Sequence, residues 1–199
     1  MLLNTITAEP QQTPDAMAFI EGAKRGDEHA TRKILQTASG RIRKTAKYLC
    51  AGDAERDDLV QNTLIEVVRA LPGFKGDSSV EYWIDRITVF TASKYIDKAV
   101  RRRRIEERVW FAGEQQKMPD ANLDEAWLRE RFRLLLGEIK PAMRSPLVLH
   151  YLHGYTVDEI ADLMQLKRNT VRGRLRTALK QMRTKVRNDD LLSQWIGTP

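Results

Sequence analysis

GYTVDEIADLMQLKRNTVRGRLRTAL, residues Gly154 to Leu179, reads as two short helices around a tight turn. Apolar side chains recur at Val157, Ile160, Ala161 and Met164, then at Val171, Leu175, Ala178 and Leu179, and each set forms one helical stripe. Thr156 with Glu159 three residues on is a capping box that fixes the start of the first helix. Leu166 lies between the stripes, where it plugs the corner. Gln165 stands at a turn position where glycine is frequent, so the turn is expected to be strained there or of another type. Lys167, Arg168, Asn169, Arg172, Arg174 and Arg176 are left pointing mostly outward. This is the layout of a helix-turn-helix, in which one helix braces and the next offers its N-terminal side chains to the DNA major groove.

The rest of the chain agrees with a polyanionic partner. Its 199 residues are 42% hydrophobic, enough for one or two small globular domains, and carry a net charge of +7. A basic balance favours phosphate, because each neutralised phosphate releases counterions. A single cysteine, Cys50, excludes an internal disulfide and a cysteine-rich zinc site. The N-terminus MLLNTITAEP lacks the basic and apolar regions of a signal peptide, and no apolar run reaches membrane-spanning length. A cytoplasmic protein without membrane insertion is expected.

Strand-like alternation is absent, so the fold class is all-α: two small helical domains joined by a flexible linker. Residues 1–14 read as a loose arm. A helical bundle follows over 15–110, with interruptions at Gly22 to Gly26, Gly40, Gly52 to Asp53 and Pro72 to Gly76. Residues 111–122 (FAGEQQKMPDAN) have linker composition, and such a linker leaves the two domains without fixed geometry in free solution. The second helical unit spans 123–187, with Ser145-Pro146 as a helix start and Gly154 as a helix end. In the tail, 188–199, Leu191, Leu192, Trp195 and Ile196 could form a small apolar face that covers the protein's own surface or binds a regulator.

Three segments carry chemistry. In the second helix of the helix-turn-helix, arginine reads guanine edges by a two-pronged hydrogen bond and also grips phosphate. Arg168, Asn169 and Arg172 occupy the part that enters the groove; Arg174, Arg176, Lys180 and Arg183 suit backbone contacts. In DDLVQNTLIEVVRAL (Asp57 to Leu71), Leu59, Val60, Leu64, Val67, Val68 and Leu71 form the buried stripe. Asp58, Gln61, Asn62, Ile65 and Arg69 face the other side, and the isoleucine there hints at docking. In Phe74 to Arg104, a glycine-containing loop leads into a helix capped by Ser78 with Glu81. Trp83, Ile84, Ile87 and Phe90 continue the apolar periodicity, which assigns Trp83 and Phe90 to the core. Tyr82, Lys94, Tyr95 and Lys98, then Arg101 to Arg104, set aromatics beside cations, as single-stranded nucleic acid requires. His150 and His153 share a helical face but lack a third ligand, no phosphate loop or nucleophile–base set is visible, and neither enzyme chemistry nor a cofactor is expected.

With these residues in hand, the chain resembles the sigma-70 family of RNA polymerase sigma factors, in its extracytoplasmic function (ECF) group. DDLVQNTL, LPGFKGDSSVEYWIDRI and KYIDKAVRRRR are similar to the family's region 2. KPAMRSPLVLHYLHGYTVDEIADLMQLKRNTVRGRLRTALKQMR is similar to region 4. The resemblance implies that Asp58, Leu59, Gln61, Asn62 and Ile65 dock on the beta-prime clamp helices of core RNA polymerase, with the beta flap as a second contact. It implies that Phe74, Lys75, Gly76, Asp77, Ser78 and Ser79 capture an unstacked base of the minus-10 element, with Tyr82, Trp83 and Arg86 supporting strand separation. Lys167, Arg168, Asn169, Thr170, Arg172, Arg174 and Arg176 would read the minus-35 element, and an anti-sigma protein is a further implied partner. Asn62 stands where an acidic residue is usual, and Gln165 replaces the usual turn glycine. The alternatives are a stand-alone helix-turn-helix regulator of duplex DNA, which leaves Asp57 to Arg104 unexplained, and a nucleic-acid enzyme, for which no metal or acid–base cluster is visible.

Overall fold

The computed structural model describes residues 14–50, 53–106, 125–189 and Leu192. Within them, eight helices follow in order: α1 (Pro14–Lys24), α2 (Glu28–Leu49), α3 (Asp53–Ala70), α4 (Val80–Glu106), α5 (Glu125–Gly137), α6 (Pro141–His153), α7 (Val157–Met164) and α8 (Arg168–Arg187). A 3-10 turn, Leu71–Gly73, joins α3 to α4. The described residues contain no strand, as the periodicity requires. The linker at 111–122, the arm before Pro14, and Leu191, Trp195 and Ile196 of the tail lie outside the described residues.

The first half is built on α2. Asp27 caps it by accepting from the amides of His29 (2.8 Å) and Ala30 (3.2 Å). Ala30, Ile34, Ala38, Ile42, Thr45, Ala46 and Leu49 then form one buried stripe, against which α1, α3 and α4 pack. Gly22 permits the α1–α2 approach, since a Cβ there would lie 2.9 Å from that of Ala30. Gly40 is no interruption. It sits inside α2 on an open face, and the core stripe on either side outweighs its cost of about 1 kcal/mol. In α3 the core is Leu59, Val60, Thr63 and Val67, while Val68 is exposed. Thr63 takes a core position by donating its hydroxyl to the Leu59 carbonyl at 2.7 Å.

In the second half, α6 starts one turn earlier than the Ser145-Pro146 pair suggests. Pro141 takes the first helical position, where a missing N–H costs nothing. Pro146 falls inside the helix, and Ala142, whose carbonyl loses its ladder partner, is exposed to water. Ser145 is no cap; its hydroxyl donates back to the Pro141 carbonyl at 3.1 Å. Gly154 ends α6 in the left-handed conformation at φ 77°. Thr156 and Glu159 form the expected capping box in both directions, at 3.2 and 2.7 Å. Gln165 is the one non-glycine residue at positive φ among those described (54°), and the Leu166 amide donates to the Ala161 carbonyl at 2.8 Å across the turn.

The two halves are not left apart. α2 packs against α5 and α6, and α4 packs against α6 and α7, so the geometry expected to be open is closed. Arg144 of α6 is buried close to Cys50 and Glu55, at the α2–α3 corner. It donates to the Gly137 carbonyl at 3.0 Å and so closes the C-terminal end of α5.

The strain at the turn is testable. Gln165→Gly removes the left-handed penalty of an L side chain and should stabilise the protein by about 0.5–1 kcal/mol after the entropic cost of glycine. Urea unfolding should show a higher midpoint; a lower one would mean that the Gln165 side chain contributes more than its backbone costs.

Candidate nucleic-acid interface

α8 is a basic helix seated on an apolar stripe. Val171, Leu175, Ala178 and Met182 are buried, and α7 and α6 brace it from below. Lys167, Arg168, Asn169, Thr170, Arg172 and Arg176 are exposed; Arg174 is half-buried. The N-cap residue, Lys167, makes no side-chain capping bond, so the first-turn amides add their partial positive charge to the cationic side chains. Arg168 Nε lies 2.8 Å from Asp158 Oδ1, joining α8 to α7 across the turn. Both side chains are more than half exposed, so this pair is worth at most about 1 kcal/mol and yields readily to a phosphate or a base.

The loop after α3 and the first turns of α4 make a second surface. Phe74 is only 4% exposed and packs against Trp83 at a tilt of 51°, with ring centroids 5.0 Å apart. It is a floor beneath the loop, not a group on it. Lys75 and Asp77 are exposed, and Gly76 turns the chain at φ 83°. The helix begins at Val80, so its cap is Ser79 and not Ser78. The Ser79 hydroxyl accepts from the Tyr82 amide at 3.1 Å. Tyr82 and Trp83 are half-buried and Arg86 is exposed.

Phe90 corrects the reading that placed it in the core. It is 61% exposed, and Lys94 Nζ sits 4.2 Å from its ring centroid. Two turns separate it from Trp83, so both lie on one face. Phe74 covers Trp83, while Phe90 is left between two clefts. One, of about 390 Å³, runs between α4 and α7 and is lined by Trp83, Arg86 and Phe90 with Leu163, Met164 and Gln165. The other, of about 540 Å³, runs between α3 and α4 past Asn62, Glu66 and Lys94.

The outer face of α3 carries Asp58, Gln61, Asn62 and Ile65, all exposed. Val68 joins Ile65 there as a second exposed aliphatic side chain. Leu59 does not belong to this face. It is fully buried, and its role is to hold α3 against the core. Asn62 Nδ2 donates to the Asp58 carbonyl of its own helix at 2.8 Å.

Sequence reasoning missed the polar junction between the halves. Asp85 of α4 is fully buried. Arg41 of α2 donates to both its oxygens, at 2.9 and 2.6 Å, and the Tyr155 hydroxyl donates to Oδ2 at 2.7 Å. Arg41 also donates to the Tyr155 oxygen at 3.1 Å. His153 Nδ1 lies 3.7 Å from Asp85 Oδ2, and its Nε2 is 2.8 Å from the Thr45 hydroxyl. Burial and the Asp85 charge both push the Tyr155 phenol well above its ordinary range. The signal in the sequence was an acid at Asp85, in register with the buried Ile84, Thr88 and Ala92. Both α6 histidines are structural: His150 Nδ1 bonds the Tyr155 carbonyl at 2.7 Å. Among the described residues no group of His, Cys, Asp and Glu is arranged to hold a metal, and no helix is long and apolar enough to cross a membrane.

Family comparison matches residues 34–102 to Sigma-70 region 2 and residues 129–182 to Sigma-70, region 4. The chain is 28% identical over 179 residues to the ECF RNA polymerase sigma-E factor of Escherichia coli, covering 84% of this chain and 92% of that protein. It is 26% identical over 166 residues to the RNA polymerase sigma-H factor of Pseudomonas aeruginosa, covering 79% and 86%. Two solved structures share its fold. CnrH in complex with the cytosolic domain of CnrY is 20% identical with a TM-score of 0.61, over 88% of this chain and 99% of that one. The sigma factor RpoE in complex with the anti-sigma factor NepR from Bartonella quintana is 17% identical with a TM-score of 0.62, over 79% and 97%.

The junction predicts a pH dependence. His153 titrates below its usual value, first because it is buried, and then through Arg41 and Lys44, against the opposing pull of Asp85. The unfolded chain therefore takes up this proton more readily than the folded one. Stability is full above a pH of about 6.5 and declines as the pH falls below it, by at most about 1.4 kcal/mol per pH unit. Melting temperatures between pH 7.5 and 5.5 should fall for the wild type and less steeply for His153→Gln. Parallel curves for the two would remove His153 as the cause.

Proposed function

The chain belongs to the sigma-70 family, as an alternative sigma factor of the extracytoplasmic function group, and we propose how its surfaces divide the work of promoter recognition. Core RNA polymerase and promoter DNA are its partners. Residues 15–110 act as region 2 and 123–187 as region 4, with 111–122 as the linker between them and 1–14 and 188–199 as arm and tail. It works in the cytoplasm, where the DNA is, and as a specificity subunit without catalysis of its own.

α8 places region 4 on the minus-35 duplex. Lys167, Arg168, Asn169, Thr170 and Arg172 enter the major groove, while Arg174 and Arg176 grip the backbone. Polymerase is met by Asp58, Gln61, Asn62 and Ile65 on the beta-prime clamp helices, supported from the core by Leu59, and by region 4 on the beta flap. The loop Lys75, Gly76, Asp77, Ser78 and Ser79, floored by Phe74, holds a base flipped from the minus-10 element. Tyr82, Trp83 and Arg86 stabilise the parted strand, and Phe90 with Lys94 extends this face by stacking a base beside a neutralised phosphate. Flipping costs a few kcal/mol, of the order that one or two such stacking contacts return. An anti-sigma protein holds the free factor inactive by covering these surfaces. The solved sigma factor RpoE, which shares this fold, is itself in complex with the anti-sigma factor NepR, and that supports such a partner here.

One observation carries this reading. A braced, arginine-rich helix end and an exposed aromatic–cation face occur in one chain on separate helical units. Run-off transcription with purified core polymerase on a promoter library should show initiation at specific promoters. No initiation, with tight binding of the chain alone to a palindromic duplex, would make it a stand-alone regulator. Arg172→Ala should reduce use of particular minus-35 sequences by about tenfold or more; equal loss on every sequence would reassign Arg172 to phosphate. Phe90→Ala should lower initiation about tenfold on duplex promoters and much less on premelted ones. Unchanged initiation on duplex promoters would end its stacking role.

A further inference from the structure

Phe132 of α5 and Tyr151 of α6 are 44% and 64% exposed, and they belong to none of the three surfaces above. They flank a groove of about 440 Å³ between α5, α6 and α8. Leu136, Val148 and Met182 line it from the core, and Tyr48 of α2 also lines it. We propose that this groove is the seat of the chain's own tail, with Trp195 and Ile196 folding back from Leu192 to fill it. Nothing in this depends on the promoter-binding role.

The path of the chain past α8 selects the occupant. The chain does not run out into water after Arg187. Asp189 is 6% exposed, and Arg131 of α5 holds its Oδ2 at 2.6 Å from both Nε and Nη2. The Leu192 amide donates to Asp189 Oδ1 at 3.0 Å, and Leu192 itself is 4% exposed. This turn sets the tail at the groove wall. Arg131 is the neighbour of Phe132 on α5. Asp189 lies three residues past Val186 and seven past Met182, so it extends the stripe of α8 that lines the groove. Trp195 is three residues beyond Leu192, a reach of up to about 10 Å of extended chain.

The segment also matches the groove in character. Residues 193–199, SQWIGTP, have no charged side chain in a chain that is 31% charged. A groove with an apolar lining takes the body of an indole at little cost in polar desolvation. A tether this short raises the local concentration to the millimolar range, so a contact too weak to hold a free peptide holds the tail. A partner protein or a second copy must bring its own apolar group from bulk solution and displace the tail to dock on this face.

The test reads Trp195 in the whole protein. Fluorotryptophan replaces all four tryptophans, and Trp195→Phe identifies the Trp195 fluorine resonance. That resonance should be displaced from the free amino acid and show little solvent isotope shift, unchanged on dilution. Phe132→Asp and Tyr151→Asp place a charge on the groove wall at exposed positions. Each should raise the solvent-exposed fraction of Trp195 about tenfold, the lower end of what one large apolar contact carries. Far-ultraviolet circular dichroism checks that each variant is folded. A solvent-exposed Trp195 in the wild type would overturn the proposal, as would protection that neither groove variant relieves. Protection lost on dilution would assign the groove to a second copy and overturn it equally.

Discussion

A buried carboxylate organises the space between the halves. Asp85 lies where α2, α4 and the α6–α7 connection meet, and it is fully enclosed. An isolated charge there would be prohibitive, so the fold must bring Arg41 and the Tyr155 hydroxyl to it. That requirement fixes the rotation of α4 against α2 and places the start of the helix-turn-helix over Tyr82. Arg168, Arg172 and Arg176 of α8 are exposed, the outer face of α3 carries Asp58, Gln61, Asn62 and Ile65, and Phe90 is exposed at the edge of the cleft between α4 and α7.

The charge pattern has the same logic. Surface pairs such as Arg168 with Asp158 are more than half in water and hold little energy, so they orient a side chain without locking it. The buried set around Asp85 is different in kind. It is specific because Asp85 is fully enclosed and its partners Arg41 and Tyr155 are partly withdrawn from water around it. The polar set sits inside an apolar core that runs through both halves. The stripe of α2 and the Val171, Leu175, Ala178 and Met182 stripe of α8 are parts of that core.

Much of this was legible in the sequence, and the exceptions share a cause. The capping box at Thr156, the glycine stop at Gly154 and the left-handed Gln165 are local, set by a few neighbours, and each appears where the residues put it. Burial is a property of pairs of helices. Periodicity placed Phe90 and Val68 on apolar stripes but could not say whether another helix would cover that part of the stripe. The same limit let Leu59 stand in two roles until its burial settled one. Ser145-Pro146 looked like a start because Lys140-Pro141, one turn earlier, offers the same signal without a capping side chain. The Asp85 junction joins residues 41, 85 and 155, too far apart in sequence for spacing to link them.

The proposed function requires two separate surfaces of one chain to act together on a promoter, positioned by polymerase. Footprinting of the promoter complex, with permanganate probing of unpaired thymines, tests this most directly. Joint action predicts protection of the minus-35 duplex together with reactive thymines in the minus-10 element, both requiring the chain and core polymerase at once. Protection of a single duplex site by the chain alone, with no unpaired thymines when polymerase is added, would contradict it.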